Sequence, residues 1–168
     1  MDKVNSIKHL TANGGPPLLL GGGVAVDDRG SVRFVNDFDF EGVKRFYQVQ
    51  NHSTGFVRAW HGHRKEAKYV YVAKGSALVG AVRMEKREDL EGVAPDALIQ
   101  REGEAQKFIL SSQSPKVLYI PSGYANGFMT LEDDTIVQFF STSSLEDSLN
   151  DDIRFAHDKW DIWSIEQR

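Results

Sequence analysis

Two histidines and a lysine are the residues of this chain best placed to do chemistry. His61 and His63 lie two apart, and Lys68 follows five residues later. Residues two apart on a strand point to one face. Residues 57–63 read as a strand, so Val57, Ala59, His61 and His63 are expected on one side and Arg58, Trp60 and Gly62 on the other. The next run sets Lys68, Val70 and Val72 on one face, with Tyr69 and Tyr71 opposite. A lysine beside two histidines disfavours their protonation, because like charges repel. A neutral imidazole near pH 7 is what a general base requires. The ammonium can then stabilise negative charge developing on a nearby oxygen. A positioned base contributes roughly 10²–10⁴-fold in rate, and a preorganised donor roughly 3–4 kcal/mol.

The elements that must hold these groups are short strands. Candidates are residues 31–36, 43–50, 56–63, 68–73, 76–84, 106–111, 117–121, 125–130 and 135–142. Many short β-type runs with Asn, Asp, Gly and Ser between them predict an all-β sandwich or barrel. Residues 1–17 read as a loose arm ending in Gly14-Gly15-Pro16-Pro17, and 18–26 as the entry to the first strand. This gives an arm over 1–23 and a single domain over 24–168. Helical periodicity is weak until the stretch 147–163, where Trp160 and Trp163 are expected to anchor a short C-terminal helix on the barrel. The charged segment 85–104, with Gly92 and Pro95, predicts a long exposed excursion between two strands.

Bulk properties exclude several functions. A chain of 168 residues has room for one domain with a real core. Hydrophobic content of 40% and charged content of 26% are those of a soluble globular protein. A formal charge of −4 leaves no broad basic field, which argues against nucleic acid and requires any anionic ligand to be held by a local cluster. The absence of cysteine rules out disulfides, thiolate metal sites and a cysteine nucleophile, and suits a reducing cytoplasm. The run from Leu18 to Val26 is too short to span a membrane and is split by three glycines. A cytoplasmic protein without membrane contact is expected.

Gly55, His61, His63, Lys68 and Gly75 reproduce the spacing of the first cupin motif, glycine-x5-His-x-His-x4-Glu-x6-glycine, with Lys68 in place of the glutamate ligand. Pro121-Ser-Gly123-Tyr-Ala-Asn126 is similar to the second motif, with Asn126 in place of its histidine ligand. The resemblance implies a jelly-roll β-barrel. Two changed ligand positions imply a site without metal or other cofactor, and a cation in a ligand position points to a pocket for anions. A metal-dependent site recruiting other ligands is the alternative.

Among metal-free cupins the chain resembles the dTDP-4-dehydrorhamnose 3,5-epimerase family. Arg58-Ala-Trp-His61, Ala67-Lys68-Tyr-Val70, Asp27-Asp28-Arg29-Gly30 and Tyr119-Ile-Pro-Ser-Gly-Tyr-Ala-Asn126-Gly-Phe128 are similar to its motifs over roughly residues 24–163. By that resemblance His61 removes a proton next to a ketone, Lys68 supports the enolate, and Arg29 and Arg58 bind a diphosphate. Arginine suits that role because its planar fork chelates phosphate oxygens. Tyr119 and Asn126 join the substrate-binding set, and Asp158 is the acidic partner of His61, with His157 as the alternative. The resemblance also implies a homodimer that exchanges N-terminal strands.

Three positions depart from the family. Phe139 stands where the epimerases carry a general-acid tyrosine, Asn126 replaces a histidine, and Phe34 replaces a glutamate that meets the nucleotide base. The related sugar-nucleotide 3,4-ketoisomerases offer a second template, similar at Arg58-Ala-Trp-His61-Gly-His63-Arg64 and at Lys44-Arg45-Phe46-Tyr47. There His63 would join His61 as a proton shuttle. The expected reaction is epimerisation at C3 and/or C5 of a nucleoside-diphosphate 4-keto-6-deoxy sugar. Carbonyl migration is the alternative, and a non-catalytic sugar-nucleotide-binding cupin is the rival of a different class.

Overall fold

Alternation of apolar and polar residues, broken by glycine turns, makes most of this chain extended. The computed structural model describes residues 15–84 and 103–168. Their strands are β1 (Leu18–Gly21), β2 (Gly23–Asp27), β3 (Gly30–Phe34), β4 (Arg45–Gln50), β5 (Val57–His63) and β6 (Lys68–Lys74). There follow β7 (Ser76–Arg83), β8 (Gln106–Ser111), β9 (Lys116–Ile120), β10 (Tyr124–Thr130), β11 (Ile136–Ser141) and β12 (Ile153–Arg154), with helix α1 (Leu145–Asn150) before the last. The predicted strands are found with ends shifted by one or two residues.

Two five-stranded antiparallel sheets form the body. The first runs β1-β9-β6-β11-β4 and the second β12-β5-β10-β7-β8, while β2 and β3 make a separate hairpin. The arrangement is a jelly-roll sandwich of facing sheets rather than a closed barrel. The inter-sheet core includes Val70, Val79, Leu118, Phe128, Val137 and Phe139. A second apolar cluster covers the outer face of the second sheet. There Trp60 meets Trp160 and Trp163 at ring-centroid distances of 5.3 and 5.0 Å.

The C-terminal tryptophans thus anchor an irregular segment, not the helix expected over 147–163. Among the described residues only Leu145–Asn150 is helical, started by the Ser144 hydroxyl accepting from the Asp147 N–H. Residues 18–21, assigned above to the arm, pair with β9 as an edge strand. The arm over 1–14 and the expected excursion over 85–102 lie outside the described residues. Among the described residues no helix is long and apolar enough to cross a membrane.

Strand β5 positions the histidines, and its faces differ from the simple alternation. Asn126 of β10 pairs with His61, but Phe128 pairs with Arg58, so β5 carries one extra residue between them. Such a bulge re-aims the side chains beyond it. Arg58 therefore joins His61 and His63 on the inner face, opposite Phe128 of the core, while Val57 and Ala59 pack with Trp60 into the outer cluster. Gly127 makes the bulge possible, since a Cβ there would collide with Ala59. Gly75 turns between β6 and β7 at φ 76°, a conformation that L side chains rarely adopt.

Candidate functional site

Residues 64–67 carry the chain from β5 in the second sheet to β6 in the first. This corner brings the end of one wall against the start of the other. Lys68 Nζ lies 3.1 Å from His63 Nε2, and both side chains are buried. The corner's backbone is held from outside. The Asp151 carboxylate accepts the N–H groups of Arg64, Lys65 and Glu66 at 2.9, 2.8 and 3.2 Å. Asp151 directly follows α1, so the helix is tied to the corner.

Both ring nitrogens of His63 are engaged. Nδ1 lies 2.9 Å from the Asp151 carbonyl and 3.2 Å from Glu66 Oε2, so it carries the hydrogen. Nε2 is then the acceptor for the Lys68 ammonium. Burial holds the His63 pKa below its ordinary value, and the Lys68 charge adds to this. Burial likewise lowers Lys68, against the opposing pull of Glu66.

Glu66 is the centre of this network, with its side chain fully enclosed. It accepts from Ser141 Oγ at 2.5 Å, Ser148 Oγ at 2.6 Å and Arg45 Nη2 at 3.2 Å. Burial raises its pKa, but the Lys68 charge and the two hydroxyls outweigh that and lower it. Ser141, Ser148, Asp151 and Glu66 were not singled out from sequence, and Arg45 entered only as part of the Lys44–Tyr47 run. Glu66 sits in an Arg-Lys-Glu-Ala-Lys run that reads as solvated, and its partners are up to 82 positions away.

His61 contrasts with His63. Its ring has no hydrogen-bond partner among the described residues, while its carbonyl accepts from Asn126 Nδ2 at 3.1 Å. Burial first, then the charges of Arg154 and Lys68, lower its pKa to about 4. It is neutral at pH 7 and free to accept a proton. Asn126 thus holds β5 in place from the position where a metal-binding relative has a ligand. The Lys68–His63 contact likewise uses the lone pair that a metal would need. Among the described residues no group of three or more His, Cys, Asp or Glu side chains is arranged to hold a metal ion.

The remaining expected residues are scattered. Asp158 is exposed and makes no hydrogen bond or ion pair with His61. Strand β12 pairs Arg154, not Asp158, with His61, and the nearby carboxylate is Asp152, bound by Arg154 Nε at 2.7 Å. Asp152 raises the His61 pKa, which is what a partner of the protonated base does. Register accounts for this, because β12 spans Ile153–Arg154 and the chain has left the sheet by 158. His157 is also exposed, and its carbonyl accepts from Trp163 Nε1.

Tyr119 is on the outer face of the first sheet. Its neighbours Leu118 and Ile120 enter the inter-sheet core, so Tyr119 points outward, against Tyr69 at 4.9 Å. Arg58 is exposed, donating to Asn51 Oδ1 at 2.7 Å. Arg29 stands at the tip of the β2–β3 hairpin, 86% exposed and, among the described residues, bound only to Asp27. The structure brings together His61, His63, Lys68 and Asn126, and within one chain leaves Arg29, Asp158 and Tyr119 apart from them.

Fold and site define the class first: a cupin-fold protein whose paired motif histidines stand beside a buried ammonium. The sequence matches the family described as dTDP-4-dehydrorhamnose 3,5-epimerase over residues 23–166, and the chain belongs to that family. It is accordingly an enzyme of the epimerase/isomerase class. No curated protein sequence matches. Solved structures of the same fold include dTDP-4-dehydrorhamnose 3,5-epimerase from Sulfolobus tokodaii, at 26% identity and TM-score 0.65, covering 87% of this chain and 81% of that one. The rmlC epimerase of Mycobacterium tuberculosis has 20% identity and TM-score 0.62, with 82% and 68% covered. The QdtA 3,4-ketoisomerase of Thermoanaerobacterium thermosaccharolyticum, in complex with TDP, has 18% identity and TM-score 0.60, with 86% and 92% covered.

Proposed function

We propose that this chain epimerises C3 and/or C5 of a nucleoside-diphosphate 4-keto-6-deoxy sugar without a cofactor. His61 removes the proton next to the ketone, and Lys68 stabilises the enolate oxygen. The observation that carries this reading is the division of labour between the histidines. His61 is neutral and unbonded, whereas His63 holds Lys68 with one nitrogen and is itself held through the other. Such preorganisation lets the cation meet developing charge without rearranging. It also favours epimerisation over 3,4-ketoisomerisation, since a shuttle through His63 has no free ring nitrogen to use. His63 is then a positioning residue rather than a proton carrier, and Asp152 takes the role given above to Asp158.

The working form is a homodimer in the cytoplasm. A lone two-stranded ribbon is marginal in water, yet Val24, Val26, Val32 and Phe34 of the hairpin are all exposed. A second copy supplies the cover, and Arg29 at the hairpin tip then joins Arg58 as a diphosphate ligand across the subunit boundary.

The test is incubation with dTDP-4-keto-6-deoxyglucose in heavy water, read by NMR. Deuterium at C3 or C5 with inverted configuration is expected. His61→Ala should lower the rate roughly 10²–10⁴-fold while the fold is kept. A 3-keto product labelled at C4 would favour the ketoisomerase. Tight binding without exchange would leave a sugar-nucleotide-binding protein.

A further inference from the structure

Inversion at a carbon removes a proton from one face of the sugar and returns one to the other. A base on one wall therefore calls for a donor on the facing wall, and Phe139 has no proton to give. The chain has five tyrosines. Tyr69, Tyr71 and Tyr119 alternate with core residues of β6 and β9 and so lie on the outer face of the first sheet. Tyr124 faces inward, but from β10, the strand beside His61 in the same wall. Tyr47 alone faces inward from the first sheet, packed against the inter-sheet core.

Register sets Tyr47 on the wall facing the base, one pair along from it. In the first sheet Arg45, Ser141 and Lys68 form one cross-strand row, and Tyr47, Phe139 and Val70 form the next. In the second sheet His63 pairs with Tyr124, His61 with Asn126, and Arg58 with Phe128. The Lys68–His63 contact aligns the first pair of rows, and Phe128–Phe139, with centroids 5.7 Å apart, aligns a row beyond His61. Tyr47 thus lies in the row that meets the Phe128–Arg58 pair, one pair along the facing wall from His61. Its ring stacks on Phe139 at 5.0 Å and 10°, with the Arg45 guanidinium 4.9 Å from its centroid. Its hydroxyl has no hydrogen-bond partner among the described residues.

We propose that Tyr47 is the catalytic acid of this enzyme, delivering a proton to the enolate carbon on the face opposite His61. The proposal rests on the epimerase reading above. His61 takes the C–H proton, and the electron pair of that bond enters the enolate. The Tyr47 O–H bond breaks as the new C–H bond forms, leaving a phenolate beside Arg45. Solvent returns a proton to the phenolate and removes one from the His61 imidazolium. Burial, and then the Glu66 charge, push the free phenol up to about 12, so it is protonated throughout the neutral range. The acid has in effect moved one strand over, from β11 to β4.

Tyr47→Phe tests this with dTDP-4-keto-6-deoxyglucose in heavy water. The change removes one hydroxyl that bonds nothing, so thermal melting should match the wild type. Deuterium should still enter next to the ketone, because His61 exchanges its own face, while inversion falls roughly 10²–10⁴-fold. Inversion at the wild-type rate overturns the proposal, as does joint loss of exchange and inversion. So does the same split in Tyr124→Phe with Tyr47→Phe unaffected. A wild-type chain that neither exchanges nor inverts overturns the epimerase reading itself, and the acid with it.

Discussion

The β5–β6 corner and the β2–β3 hairpin both present charged side chains beside turns, and they differ in what those charges meet. At the corner the buried charges have partners within the chain. Glu66 takes bonds from Arg45, Ser141 and Ser148, and Asp151 takes three backbone N–H groups. At the hairpin Arg29 finds, among the described residues, only Asp27, two residues away, and the apolar side chains around it are exposed. The corner is finished by its own tertiary structure. The hairpin, in the dimer proposed above, is an arm covered by another copy. Enclosed charges are costly to leave unpaired, whereas exposed pairs add little.

The largest expected effect comes from breaking the corner. Glu66→Ala leaves Arg45 and two hydroxyls without their acceptor and removes the charge that supports the Lys68 ammonium. Losing one partner of a buried ion pair costs about 3–5 kcal/mol, so chemical denaturation should show a drop of that size. A midpoint equal to the wild type would mean that water replaces the carboxylate. Arg29→Ala should do the reverse, leaving the melting temperature unchanged and raising KM roughly ten- to a hundred-fold, as for a lost hydrogen bond to a charged group. An unaltered KM would separate the hairpin from the site.

The smallest effect is a pH dependence at His61. Its pKa is depressed from 6.5 to about 4 in the folded chain. Between these values the unfolded chain binds the proton more readily, so stability is full above about 6.5 and declines as pH falls toward 4. Melting curves across that window should flatten in His61→Asn. An identical slope in the variant would assign the acid limb to other groups.

Much of the fold was legible because strand faces follow a period of two. The inward set Lys68, Val70 and Val72 and the outward pair Tyr69 and Tyr71 are as the alternation predicts. The alternation failed at Arg58, where one inserted residue moves the side chain to the other face. Helical spacing over 147–163 misled for a different reason: those apolar residues cover the outer face of the second sheet without a helix. Asp158 was placed by motif spacing alone, but register with β12 decides which carboxylate approaches His61, and that is Asp152.

The sequence by itself determined the family, the strand pattern and the trio His61, His63 and Lys68, because local spacing and residue type carry that information. Tertiary structure decided which histidine is free. That outcome depends on Lys68, Glu66 and Asp151 converging on His63 from a second sheet, a corner and a helix end. Tertiary structure also set Tyr47 beside Phe139, 92 positions later in the chain, since only strand register makes neighbours of residues that the sequence keeps apart.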